Sequence, residues 1–229
     1  MKKNVLITGA AGNLGMASVA RFLSEGHRVI AVLSPGKTPE FIASVDLILA
    51  EADLTNEKSV ERLTSRLIAE YHSIDVALLL VGGYAPGTIF ETDGDRLKKM
   101  YSVNFETAYF MARPVFAQMM KQPSGGRILF IGSRPALEAS EGKRSLAYAL
   151  SKSLIFKLAD FLNAEGASRN VFSSVIVPST IDTPTNRESM PNADFSAWVT
   201  PEAIADKMAL VAFEKAAPRH TVLKVYGKG

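Results

Sequence analysis

The stretch Thr8-Gly9-Ala10-Ala11-Gly12-Asn13-Leu14-Gly15 restricts this chain more than any other. It follows the apolar run Asn4–Ile7, which reads as a short buried strand, and precedes Met16–Glu25, which reads as a helix. Gly9 allows a sharp turn out of the strand, and Gly12, lacking a Cβ, lets a ligand approach the backbone. Gly15 lets the helix pack close to the sheet. Strand, glycine-rich turn and helix together open a dinucleotide-binding βαβ unit. The helix start offers free N–H groups and a partial positive charge to a pyrophosphate. The spacing is G-x-x-G-x-x-G rather than G-x-G-x-x-G, so a plain tight turn is the alternative; the placement between strand and helix favours nucleotide binding.

Further strands are expected at Arg28–Leu33, Leu47–Leu49, Asp75–Val81, Arg127–Ile131, Val171–Val177 and Thr221–Tyr226. Helices are expected between them at Asn56–Tyr71, within Asp93–Lys121, at Ser145–Gly166 and at Pro201–Glu214, with a mobile loop over Pro135–Ser145. Nearly continuous apolar residues in Val76–Val81 suit a strand buried on both faces. The alternation predicts one α/β domain over residues 1–229, a doubly wound parallel sheet flanked by helices. The absence of cysteine excludes disulfides and thiol chemistry, and the three histidines (His27, His72, His220) form no metal-ligand motif. A net charge of +3 without a basic run argues against nucleic acid. Met1-Lys2-Lys3 precedes too short an apolar run for a signal peptide, and no stretch approaches a membrane span. A cytoplasmic protein is expected.

An acid at the end of the second strand would bind the adenosine ribose and favour NAD. Here the chain reads Leu33-Ser34-Pro35-Gly36-Lys37. Ser34 and Lys37 fit a 2′-phosphate, which favours NADP over NAD; a solvated turn is the alternative. Asp53 could accept from the adenine amino group while Leu54 packs on the ring, or Asp53 or Thr55 could cap the next helix. Gly82-Gly83, at a strand end, would let a ligand approach, or simply turn the chain. Tyr101, Phe105, Tyr109 and Phe116 form a stripe at helical spacing, suited to core or dimer contact; Asn104 among them is harder to explain as core. Tyr148 and Lys152 are four apart on one expected helix, so they share a face, as a functional pair or as an ordinary solvent-facing one. A phenol with its usual pKa near ~10 is a poor acid–base group at neutral pH, and a neighbouring ammonium would lower that value. Ser133, directly after a strand, could orient a carbonyl oxygen beside Tyr148, or could serve as a turn or cap.

Taken together, the Thr8–Gly15 turn, Asp53-Leu54, Asn104, Ser133, Tyr148 with Lys152, and Pro178 with Ile181-Asp182-Thr183-Pro184 resemble the short-chain dehydrogenase/reductase family over nearly the whole chain. The resemblance implies a Rossmann-type fold and a tetrad of Asn104, Ser133, Tyr148 and Lys152. Tyr148 would be the acid–base residue and Ser133 would orient substrate. Lys152 would bind the nicotinamide ribose and tune Tyr148, Asn104 would help hold a water chain, and Ile181 and Thr183 would contact the carboxamide. Two features depart from the family pattern: Asn13 stands where glycine is expected, and Leu80-Val81-Gly82-Gly83 replaces the usual Asn-Asn-Ala-Gly. Both are similar to dihydropteridine reductases, as are Gly82-Gly83-Tyr84 and the segment Ile181–Ser196 leading to Trp198. That family has an acid at the second strand's end and lacks the serine and asparagine equivalent to Ser133 and Asn104. The retained Ser133 fits a carbonyl or alcohol substrate. The expected function is therefore an NAD(P)-dependent oxidoreductase of such substrates, assembled as a homodimer or homotetramer. Its pocket would be rimmed by Tyr84, Ser133, Pro135, Tyr148 and residues 184–199, a candidate lid carrying Met190, Phe195 and Trp198, for which a structural loop tucked on the core is the equal alternative. The alternatives are an NADH-dependent dihydropteridine reductase and a non-catalytic dinucleotide sensor.

Overall fold

The computed structural model describes residues 1–214 and 221–227. Its strands are β1 (Asn4–Thr8), β2 (Arg28–Leu33), β3 (Leu47–Glu51), β4 (Val76–Leu79), β5 (Gly126–Ile131), β6 (Val171–Pro178) and β7 (Val222–Val225). They form one seven-stranded sheet in the order β3-β2-β1-β4-β5-β6-β7. Every pairing is parallel. All residues of β1 and β4 are buried. A parallel sheet covered on both faces requires this, because neither side chain direction meets water. The result is the doubly wound, Rossmann-type α/β domain that the strand–helix alternation predicts.

The flanking helices are α1 (Asn13–Ser24), α2 (Glu57–Tyr71), α3 (Gly94–Tyr101), α4 (Thr107–Met119), α5 (Ala139–Gly142), α6 (Leu146–Gly166), α7 (Pro184–Ser189) and α8 (Pro201–Ala212). Successive residues of a strand face opposite sides, and β1 divides accordingly. Leu6 joins Leu63 of α2, Met111 of α4 and Ile155 of α6 in one core. Val5 and Ile7 join Phe22 of α1 and Ile204 and Met208 of α8 in the other.

Several local expectations change. Helix α1 starts at Asn13 instead of Met16, with Gly12 as an extended N-cap. The cap of α2 is Asn56, whose side chain accepts from Ser59 N–H (3.1 Å). Asp53 does not cap it; its carboxylate accepts from the N–H (2.9 Å) and hydroxyl (2.7 Å) of Thr55. That local turn satisfies the carboxylate before the helix begins. The expected mobile loop at 135–145 is folded into a 3₁₀ turn, Arg134–Ala136, and α5. Gly142 packs there so tightly that a Cβ would lie 2.5 Å from the Pro135 carbonyl. Between α3 and α4 the chain remains helical but widens into a π-helical turn, Ser102–Glu106. Of the histidines, His27 packs on Phe213 and His72 ends α2 in a left-handed conformation. His220 lies outside the described residues.

Candidate active site

The strand order reverses between β1 and β4, which opens a crevice where the loops leaving their carboxyl ends diverge. The residues singled out in the sequence gather along this edge. Gly9, Gly12, Asn13, Leu14 and Gly15 follow β1; Ser34 and Lys37 follow β2; Asp53 and Leu54 follow β3; and Gly82 and Gly83 follow β4. Ser133 follows β5, Pro178 ends β6, and Ile181 and Thr183 come after it.

Gly9 has φ +64°, in the left-handed region that favours glycine. At Gly15 a Cβ would stand 2.2 Å from the Gly9 carbonyl and 2.7 Å from Ala10 Cα. Gly15 therefore seats α1 on the turn itself, not on the sheet as its spacing suggested. Above Gly12 the space is open, since a Cβ would meet only the Gly9 carbonyl, at 3.4 Å. The first bond into α1 runs from Met16 N–H to the Gly12 carbonyl (2.8 Å), and no side chain caps the helix among the described residues. The N–H groups of Asn13, Leu14 and Gly15 precede that bond, in the first turn of the helix. An unfilled cradle of backbone donors at a helix start fits a pyrophosphate.

Lys152 is only 4% exposed, and its ammonium donates to the Ile131 carbonyl (2.9 Å). Burial lowers its pKa to about 8. Tyr148 lies one helical turn before it. Burial raises the phenol pKa, with the Ser133 hydroxyl opposing the rise. This corrects the expectation that Lys152 lowers it: the ammonium is held by the Ile131 carbonyl and burial dominates. The phenol is consequently protonated at neutral pH. The Ser133 hydroxyl is close enough to Tyr148 to influence its titration but forms no hydrogen bond with it. Ser133 Oγ is buried and without a partner among the described residues. The ring of Tyr84 meets that of Tyr148 edge-on, with centroids 5.2 Å apart.

Asn104 sits in the π-helical turn and is fully buried. Its Oδ1 accepts from Gly83 N–H (2.9 Å), while Nδ2 donates to the Gly83 carbonyl (3.0 Å) and to Ser151 Oγ (3.1 Å). Only this orientation of the amide satisfies both backbone groups of Gly83. Ser151 in turn donates to the Tyr148 carbonyl (2.8 Å). A Cβ on Gly82 would stand 2.8 Å from Asn104 Oδ1 and 3.0 Å from Lys152 Nζ. The absent side chain at Gly82 thus admits these two groups, where the sequence suggested room for a ligand. Ser151 was not singled out from the sequence. Its one signal is a small hydroxyl residue three positions after Tyr148, which does not reveal a partner 47 residues away.

The segment after β6 is tied together internally. Thr183 caps α7, accepting from Asn186 N–H (3.2 Å), and the Ile181 carbonyl accepts from Asn186 Nδ2 (2.8 Å). Arg187 grips Asp182 with two bonds of 2.6 and 2.7 Å and lies over the Phe195 ring. Ile181 and Val199 form a parallel bridge that pins the ends of residues 184–199. A cavity of about 560 Å³, lined by Asn13, Thr183, Arg187 and Pro201, opens between α1, α7 and α8. It flanks the α1 N-terminus and does not include Ser133, Tyr148 or Lys152.

Residues 3–194 match the family model described as short chain dehydrogenase. The chain belongs to the short-chain dehydrogenase family. It is an oxidoreductase family whose members use NAD(P) cofactors. This short-chain dehydrogenase is 30% identical to the uncharacterized oxidoreductase YuxG of Bacillus subtilis over 79% of its own length, but spans only 27% of that protein. It is 28% identical to a dihydropteridine reductase of Dictyostelium discoideum, covering 91% of this chain and 87% of that one. The structure of ElxO with NADP bound superimposes with a TM-score of 0.88 at 22% identity, covering 98% of this chain and 97% of that one. No helix among the described residues is long and apolar enough to cross a membrane.

Proposed function

We propose that this short-chain dehydrogenase moves hydride between a nicotinamide cofactor and a small carbonyl or alcohol substrate, with Tyr148 handling the proton. The observation that carries this reading is the Ser133 hydroxyl, buried and unpartnered beside a protonated phenol. An unsatisfied buried hydroxyl costs about 1–3 kcal/mol. A substrate oxygen accepting from both Ser133 and Tyr148 removes that cost and is thereby positioned. Tyr148 then gives its proton to the oxygen during reduction and becomes a phenolate; in the reverse direction that phenolate takes the proton back from the alcohol. The cofactor, when bound, supplies a hydride donor or acceptor at its nicotinamide ring. Asn13, Leu14 and Gly15 hold its pyrophosphate on the cradle above Gly9 and Gly12, and Lys152 holds its nicotinamide ribose. Asp53 and Leu54 take the adenine, and Pro178, Ile181 and Thr183 border the carboxamide. Ser34 and Lys37 favour NADP over NAD. Asn104 acts by fixing Gly83 and the Tyr148–Ser151 turn. The 184–199 segment closes over the substrate as one unit.

Exposed apolar residues along α3, α4 and α6, including Tyr101, Tyr109, Leu150, Leu154 and Phe161, support a homodimer or homotetramer through these helices. The deciding experiment pairs dinucleotide titration with a panel of carbonyl and alcohol substrates, on wild type and on Tyr148→Phe. The variant is expected to bind cofactor as wild type does and to lose at least ~100-fold in turnover. Unchanged turnover would refute the role of Tyr148, and a wild type that binds dinucleotide but turns over nothing would leave a sensor. The broad match to a dihydropteridine reductase supports a second reading, tested by turnover of quinonoid dihydropterin with NADH. Activity on that substrate that survives Ser133→Ala would displace the carbonyl reading.

A further inference from the structure

We infer that Glu51, at the carboxyl end of β3, is a specificity-determining residue that opposes a 2′-phosphorylated dinucleotide. The inference rests on the cofactor reading above and concerns how sharply the adenosine end discriminates. Three segments converge where β2 ends. The Val32 carbonyl accepts from Ala10 N–H of the glycine turn (3.3 Å), and the Leu33 carbonyl accepts from Ala52 N–H (3.0 Å). Leu33 and Glu51 are register partners across the β2–β3 pair. The chain then turns through Ser34-Pro35-Gly36-Lys37, closed by Lys37 N–H to the Ser34 carbonyl (3.2 Å), with Gly36 at φ +74°. Across this turn the Glu51 carboxylate accepts from Gly36 N–H (3.3 Å). The turn that carries Ser34 and Lys37, proposed above to favour a 2′-phosphate, thus already holds a carboxylate from the neighbouring strand.

A phosphate monoester carries a charge of roughly −1.5 to −2 at neutral pH and accepts hydrogen bonds through all its free oxygens. Glu51 occupies one backbone donor of the turn and adds a like charge beside the others. A ribose hydroxyl behaves oppositely, because it can donate to the carboxylate. One group therefore penalises the phosphate and tolerates the diol, while Lys37 pulls the other way. The two charges oppose one another on a single turn and leave only a mild preference for NADPH. A like charge held on the same partly exposed turn repels enough to change relative affinity on the order of tenfold.

The test titrates NADPH and NADH into the full chain, as wild type, Glu51→Gln and Glu51→Ala, at low and high salt. Both variants are expected to raise the NADPH-over-NADH affinity ratio about tenfold at low salt, with the gain shrinking at high salt as screening takes over. A structural role for Glu51 would instead weaken both dinucleotides alike, without salt dependence. If wild type binds both and neither variant raises the ratio, the assignment of Glu51 is overturned while the cofactor reading stands. If wild type binds neither dinucleotide, the cofactor reading falls and takes this inference with it.

Discussion

Replacing Lys152 by methionine should stabilise the folded protein while destroying its activity. Lys152 is buried, and burial brings its pKa from an ordinary 10.5 down to about 8. That fall corresponds to about 3 kcal/mol. The unfolded chain keeps the proton up to its ordinary pKa, whereas the folded chain releases it near 8. Between these values the unfolded state binds more protons, so stability rises with pH through that window. The penalty is complete below pH 8 and disappears above 10.5. Lys152→Met removes it but leaves the Ile131 carbonyl without its 2.9 Å bond, a loss of about 1 kcal/mol. The net gain at pH 7 is about 2 kcal/mol, or roughly 4–8 °C in melting temperature for a domain this size. Urea denaturation of ligand-free wild type and variant, at pH 7 and again at pH 10.5, isolates the effect. The stability difference between the two proteins should change by about 3 kcal/mol between those conditions. A variant less stable than wild type at pH 7, or a difference indifferent to pH, would refute the reasoning.

Gly82→Ala should cut turnover at least ~100-fold and cost about 1–3 kcal/mol, because its Cβ would press on Asn104 Oδ1 and Lys152 Nζ; steady-state kinetics and denaturation read both. Arg127, at the opposite edge of the sheet, is buried and donates to the carbonyls of Gly126, Asn170 and Glu214. Arg127→Met should cost about 2–4 kcal/mol in a denaturation series and leave kcat and KM unchanged, since it strands these acceptors far from the crevice. Leu150 and Leu154 are 48% and 37% exposed on α6. Light scattering should find an oligomer in wild type and a monomer in the Leu150→Glu, Leu154→Glu double variant, and a monomeric wild type would refute the proposed interface.

The elements that sequence alone determined are those set by local periodicity and backbone chemistry. The apolar run of Val76–Leu79 had to be a doubly buried parallel strand, and the turn at Gly9 required a residue free to adopt positive φ. Tyr148 and Lys152 had to share a helix face because of their spacing. Locally ambiguous signals went astray: α1 begins three residues earlier than expected, since nothing polar caps it, and Asn56 outcompeted Asp53 and Thr55 as the α2 cap. Only the tertiary structure decided the state of the site. Asn104 finds Gly83 and Ser151 because a π-helical turn brings it beside the end of β4. Glu51 reaches the turn after β2 because parallel pairing sets it opposite Leu33. The direction in which Tyr148 titrates was invisible along the chain, since spacing records the neighbouring ammonium and not the surrounding fold. Desolvation is a property of everything packed around a group, and here it outweighs the lowering from the Ser133 hydroxyl.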